Sequence, residues 1–139
     1  MTGVQTCALP ISPLLAQADV VVNLLPLTAE TRGLLNAAAF AQMPRGASLV
    51  NLARGAHVVE ADLLAALATE QLGHAVLDVF ATEPLPAGHP FWSHPAVTVL
   101  PHVAAPTDPR SAAVIAARNV AALRQGRPLR ALVDRARGY

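Results

Sequence analysis

Arg54, Asp78, Glu83 and His102 are the residues whose types could do chemistry together, and each follows a short apolar run bounded by turn-forming residues. Arg54 stands in Ala53-Arg54-Gly55, Asp78 and Glu83 flank Val79-Phe80, and His102 follows Pro101. An arginine presents a planar fork that can hold a carboxylate with two hydrogen bonds and so orient the adjacent carbon. A histidine titrates near neutral pH and can donate a proton to a carbonyl oxygen as that carbon is reduced, then reclaim it in reverse. A glutamate beside the histidine favours the protonated imidazole and sets its tautomer. Reduction also needs a hydride, which no side chain supplies, so the set implies a nicotinamide cofactor. Taken singly, Asp78 serves equally well as a loop cap and Arg54 as the partner of a nearby acid. Thr28 and Thr31 read more readily as turn residues than as ligands. His57, His74, His89 and His94 have no comparable placement and read as surface or loop histidines.

The elements that must position these residues follow from periodicity. Residues 14–18 suit the last turn of a helix, and the β-branched run at 20–25 reads as a buried strand stopped by Pro26. Asn36 can cap a short helix over 37–43, after which residues 48–52 form a second strand. Glu60 and Asp62 load acid into the first turn of a helix. Its Leu63, Leu64, Leu67 and Leu72 recur at helical spacing, and Gly73 follows as the residue that ends it. Residues 75–80 predict a third strand, 81–95 a proline-rich loop and 97–100 a fourth strand. Asp108 followed by Pro109 opens a long helix that Gly126 ends. Strands alternating with helices through short loops predict an α/β fold with a mainly parallel sheet, buried on both faces. In such sheets ligands bind beyond the carboxyl ends of the strands, where the four chemical residues lie.

The 139 residues are 53% hydrophobic and 14% charged, with a net charge of +1, which excludes a disordered chain and fits one domain with a real core. No apolar run reaches the roughly 18 residues of a membrane span, and no membrane partner is expected. The single cysteine, Cys7, excludes an internal disulfide and fits a reducing cytoplasm. Residues 1–109 carry a charge of −5 and residues 110–139 a charge of +6. That basic end reads as a solvated helix face and tail rather than a nucleic-acid surface, because no aromatic residue interleaves with its arginines. No metal site is expected.

Several ordered motifs carry a family resemblance. Asn23-Leu24-Leu25-Pro26-Leu27-Thr28 with Thr31, Asn51-Leu52-Ala53-Arg54-Gly55, Leu77-Asp78-Val79-Phe80 with Glu83-Pro84-Leu85-Pro86, and Pro101-His102-Val103-Ala104 resemble the D-isomer-specific 2-hydroxyacid dehydrogenases. Residues 101–113 and the ending 133–139 resemble the glyoxylate/hydroxypyruvate reductase A group within that family. The resemblance covers about residues 14–139 and implies part of a Rossmann-type, doubly wound parallel sheet, the second half of an NAD(P)-binding domain. It implies Arg54 as the holder of a 2-oxo acid carboxylate, His102 as the proton donor and acceptor, and Glu83 as its partner. Asp78 would hold the nicotinamide carboxamide, with Ala104 nearby. Leu25, Pro26 and Thr31 would border the adenosine side, and the backbone around Ala53 would approach the nicotinamide ribose. Trp92 would be packing rather than chemistry. The cofactor implied is NAD(P), with NADP favoured, the substrate a small 2-oxo acid, and the assembly a homodimer.

The chain also departs from the family. It contains no G-x-G-x-x-G turn, the motif on which the pyrophosphate rests. The expectation is therefore a carboxyl-terminal portion of a longer enzyme: a non-native leader over 1–12, a partial NAD(P)-binding domain over 13–126, and a tail over 127–139. Two rival readings are a dinucleotide-sensing interaction protein without catalysis, since fold does not fix function, and an inactive remnant.

Overall fold

The computed structural model describes residues 11–135. Helix α1 (Ile11–Leu15) precedes strand β1 (Val20–Asn23), α2 (Ala37–Phe40) precedes β2 (Ala47–Asn51), and α3 (Glu60–Ala68) precedes β3 (Leu72–Leu77). Strand β4 (Val97–Val99) and helix α4 (Pro109–Arg124) follow. Short 3₁₀ turns, Gly55–His57 and Pro90–Trp92, interrupt the connections after β2 and before β4. The four strands form one sheet in the order β1-β2-β3-β4 with every neighbouring pair parallel, as the alternating pattern requires.

That order decides which face is covered. Each connection steps one strand in the same direction, and right-handed crossovers of that kind lay their chain on one side of the sheet. A single apolar cluster results, joining Leu15 of α1, Phe40 of α2, and Leu63 and Leu67 of α3 to Val21, Leu49, Ala75 and Leu77 of the strands. Strand β1 consequently alternates. Val21 and Asn23 are buried, while Val20 and Val22 remain 55% and 51% exposed. The expected burial on both faces is not met at this strand, because among the described residues only one face has a layer packed on it.

Two helices stop earlier than their leucine and alanine patterns suggest. Helix α2 ends at Phe40 rather than Met43, though Asn36 caps it as expected, accepting from the Ala38 and Ala39 amides. Helix α3 ends at Ala68, where the Thr69 hydroxyl donates back to the Ala65 and Ala66 carbonyls, and Glu70 turns the chain with φ 57°. Leu72 and Gly73 belong to β3 rather than to α3. Helix and strand both aim Leu72 at the same core, so its helical spacing was uninformative. Gly73 permits a close backbone approach, since a Cβ there would lie 2.5 Å from the Gly46 carbonyl oxygen. At the amino-terminal side α1 takes in Ile11 and Ser12, which showed no periodicity; the rest of the expected leader, residues 1–10, lies outside the described residues.

Helix α4 is capped as predicted, with Asp108 accepting from the Arg110 and Ser111 amides, Pro109 at its first turn and Gly126 beyond it at φ 62°. None of its residues is buried.

Candidate active site

At the carboxyl ends of β1 and β2 two asparagines face each other in register. The Asn23 side-chain amide donates to Asn51 Oδ1 at 2.9 Å, and Asn51 in turn donates to the Arg54 carbonyl at 3.1 Å. Their oxygens also receive the Leu25 and Ala53 amides. Buried polar groups must find partners, and this pair does so by tying the two strand ends together. Beyond β1, the turn holding Leu25, Pro26 and Thr31 closes on itself. Thr31 Oγ1 donates to the Pro26 carbonyl at 2.8 Å, and the Thr28 and Thr31 hydroxyls accept each other's backbone amides. Leu25 and Pro26 are exposed, and Ala53 is buried at the end of β2.

Arg54 is exposed, its guanidinium donating to the Ala53 carbonyl at 2.6 Å. Gly55 next to it explains how the turn reaches the neighbouring strand: a Cβ at that position would fall 1.9 Å from the Phe80 carbonyl carbon. Only glycine allows this approach. It carries Arg54 close enough to Glu83 to act on that carboxylate electrostatically.

Glu83 and His102 meet directly. The His102 Nδ1–H donates to Glu83 Oε2 at 2.8 Å, and the other carboxylate oxygen accepts the Phe80 amide at 2.9 Å. These contacts hold the Glu83 carboxyl below its ordinary value, the Phe80 amide contributing most, then the His102 hydrogen bond, against an opposing desolvation effect. The charges of His102 and Arg54 pull the same way more weakly. With Nδ1 committed to Glu83, Nε2 is the ring nitrogen free to exchange a proton with a substrate.

Asp78 is buried at the end of β3, and its two oxygens accept the Val103 and Ala104 amides at 2.8 Å each. It thus fastens the backbone just beyond His102, which itself sits at φ 57°, in the left-handed region that costs a non-glycine residue about 1–2 kcal/mol. The loop-capping alternative for Asp78 is therefore realised. Both oxygens are engaged and only 1% of the residue is exposed, so Asp78 serves the turn that carries His102; the exposed groups at this edge, Arg54 and His102, are the ones open to the nicotinamide end of a dinucleotide.

Two expectations change. His57 is not a surface histidine: it has no exposed area, and its ring nitrogens lie 3.0 Å from the Arg54 carbonyl and 3.3 Å from the Pro26 carbonyl. His89 is a loop histidine as expected; its Nδ1 accepts the Phe91 amide and its Nε2 lies 3.4 Å from Glu60. Trp92, expected to be packing, is exposed and donates its indole N–H to the Pro86 carbonyl. With Phe80, Leu85 and Leu100 it walls a cleft of about 450 Å³ that also includes Glu83 and His102. Sequence reasoning had no signal for the His57 and Trp92 positions, which depend on how two loops fold back.

A parallel sheet whose strand ends assemble an arginine, a glutamate–histidine pair and a buried aspartate has the architecture of the Rossmann-type α/β class. Comparison with known proteins narrows it: the description D-isomer specific 2-hydroxyacid dehydrogenase, NAD binding domain, matches residues 3–104, and the chain belongs to this family. That match begins inside the segment set aside as a leader. A relative named glyoxylate/hydroxypyruvate reductase A from Serratia proteamaculans is 54% identical over 121 residues, covering 87% of this chain and 39% of that protein. A D-isomer specific 2-hydroxyacid dehydrogenase from Xanthobacter autotrophicus, solved with NADPH and MES, superposes with a TM-score of 0.89 at 46% identity, over 93% of this chain and 53% of that one. The NADPH-dependent glyoxylate/hydroxypyruvate reductase from Sinorhizobium meliloti, solved with NADP and sulfate, gives a TM-score of 0.89 at 42% identity, over 95% and 43%. The chain spans about two fifths of the length of the curated relatives it matches.

Proposed function

We propose that this chain supplies the proton-transfer group and part of the cofactor site of an NAD(P)-dependent reductase that converts small 2-oxo acids such as glyoxylate and hydroxypyruvate to their 2-hydroxy acids. The observation that carries the reading is the 2.8 Å hydrogen bond from His102 to Glu83, with Arg54 beside it at the carboxyl edge of the sheet. NADP is favoured because similar enzymes were solved with NADPH or NADP. When bound, the nicotinamide supplies the hydride. Arg54 releases its contact with the Ala53 carbonyl and grips the substrate carboxylate with its fork, fixing the carbonyl carbon for attack. His102, aligned by Glu83, gives its Nε2 proton to the carbonyl oxygen as negative charge develops there and recovers a proton afterwards. Asp78 holds the turn that carries His102, the turn at Leu25, Pro26 and Thr31 borders the adenosine side, and the backbone at Ala53 and Ala104 faces the nicotinamide ribose and ring.

A cytoplasmic location and a homodimeric assembly belong to the same proposal, the first supported by a lone cysteine. Among the described residues no helix is long and apolar enough to cross a membrane.

The test is NADPH oxidation by glyoxylate in the full-length protein. Replacing His102 by Gln should lower turnover by about 10²- to 10⁴-fold, the contribution of positioned proton transfer, while dinucleotide binding followed by fluorescence persists. Dinucleotide binding with no turnover in the unaltered protein would instead favour a sensing role.

A further inference from the structure

We propose that Glu60 is a positioning residue for the proton-transfer pair, holding the peptide between Phe80 and Ala81 so that Glu83 is presented to His102. The inference rests on the roles proposed above for His102 and Glu83. Glu60 opens helix α3, where an acid ordinarily serves its own helix by facing the free amides of the first turn. This one reaches across to the loop after β3. Its Oε1 accepts the Ala81 amide at 3.3 Å, and its Oε2 lies 3.4 Å from His89 Nε2. The His89 ring needs one proton only for this arrangement, because its Nδ1 accepts the Phe91 amide and the N–H is left on Nε2, facing the carboxylate.

The peptide that Glu60 holds lies between the turns that carry the chemistry. Its carbonyl lies against Gly55, where a Cβ would collide with it, and its N–H is the one given to Glu60. The preceding amide, that of Phe80, goes to Glu83 Oε1 and does most to hold that carboxyl below its ordinary value. Glu83 Oε2 then takes His102. Two successive amides are thus shared between two glutamates, of which only Glu83 touches the histidine that moves the proton. The Arg54 turn has a fastening of its own, since Asn51 donates to the Arg54 carbonyl and accepts the Ala53 amide. Slack in the held peptide therefore passes to Glu83 and His102 rather than to Arg54. Glu60 is backed in turn by the loop it grips: the His89 ring lies 4.5 Å from that of buried Phe91, and Phe91 lies 6.5 Å from Phe80, ring centre to ring centre.

Two substitutions separate alignment of the site from support of the helix. Glu60→Asp keeps an acid in the first turn of α3 but withdraws the carboxylate by one methylene, out of reach of the Ala81 amide. Glu60→Gln keeps the length and an acceptor oxygen but no charge. In the full-length protein, the single-turnover rate of NADPH oxidation at saturating glyoxylate is measured together with the glyoxylate KM and the NADPH dissociation constant. The Asp variant should lose about fivefold or more in rate, the effect of one hydrogen bond expressed in alignment, with KM and NADPH binding within about twofold. The Gln variant should recover the rate to within about twofold of the unaltered protein, because the acceptor is back in place. On a Glu83→Ala background the Asp substitution should change the rate by less than about twofold, since the residue it acts through is gone. An acid that only stabilised its helix would give the reverse order, with Gln impaired and Asp intact. That order, losses additive with Glu83→Ala, a fall in NADPH binding equal to the fall in rate, or an Asp variant that does not fold would each overturn the proposal. Urea unfolding repeats the cycle without turnover, and there the losses from Glu60→Asp and Glu83→Ala should sum to more than the loss in the double variant. NADPH binding without glyoxylate turnover in the unaltered protein would sink the reductase reading alone; additive unfolding losses would then still overturn the coupling of Glu60 to Glu83, and losses short of additive would uphold it.

Discussion

The carboxylate of Glu83 does two jobs with its two oxygens, one fixed by the Phe80 amide and one fixing His102. Because these contacts depress its titration in the folded state, the stability they contribute is present above the ordinary carboxylate range. It is lost as the pH falls through the lowered folded value. Thermal unfolding followed from neutral to acid pH should show this loss, and Glu83→Gln, which has no charge to titrate, should flatten that part of the curve. A curve identical in the two proteins would show that Glu83 contributes nothing to the acid limb. Arg54 makes a sharper kinetic prediction. Arg54→Lys retains the charge but not the fork, so use of 2-oxo acids should fall by about tenfold or more in kcat/KM while NADPH affinity stays nearly constant. Parallel losses in both would remove Arg54 from the substrate. At this scale the sequence was informative wherever a residue type is rare at a strand end, as with Arg54, Glu83 and His102. It was silent on His57, since nothing in a linear pattern distinguishes a histidine swallowed by two loops from one on the surface.

Elements place these residues through backbone approach more than through side-chain packing. The turn after β2 lies against the backbone after β3 because Gly55 has no Cβ. Gly55→Ala should destabilise the protein by at least the ~1–3 kcal/mol typical of overpacking and should cost activity beyond its effect on folding, because the displaced turn carries Arg54. Melting temperature and kcat/KM measured at a temperature where the variant is folded would separate the two; an alanine variant with unchanged melting would mean the two turns are not in contact. Strand positions were legible from the β-branched runs, and the helix caps at Asn36 and Asp108 from capping chemistry. The ends of α2 and α3 were not, because residues such as Leu72 satisfy a helical and a strand pattern at once and tertiary contact decides between them.

At the scale of the whole molecule, a sheet built in one direction leaves its other face open at Val20 and Val22. These 139 residues also contain no glycine-rich turn, the feature whose amides neutralise a pyrophosphate. Produced by itself, the 139-residue chain should therefore bind NADPH only weakly, oxidise none of it with glyoxylate, and self-associate through β1 and its apolar face. Fluorescence titration and light scattering would check this, and a monodisperse monomer turning over glyoxylate would refute it. The parallel α/β architecture was legible because strands and helices alternate, whereas the one-sided burial depends on crossover direction, which no local pattern encodes. His102 has a consequence for the molecule as a whole. Its backbone occupies a conformation that glycine would adopt freely, while its side chain holds Glu83. Backbone strain and side-chain chemistry pull in opposite directions at this position; lineages that ceased to need the reaction could drift away from histidine, losing the hydrogen bond to Glu83 but relieving the strained backbone.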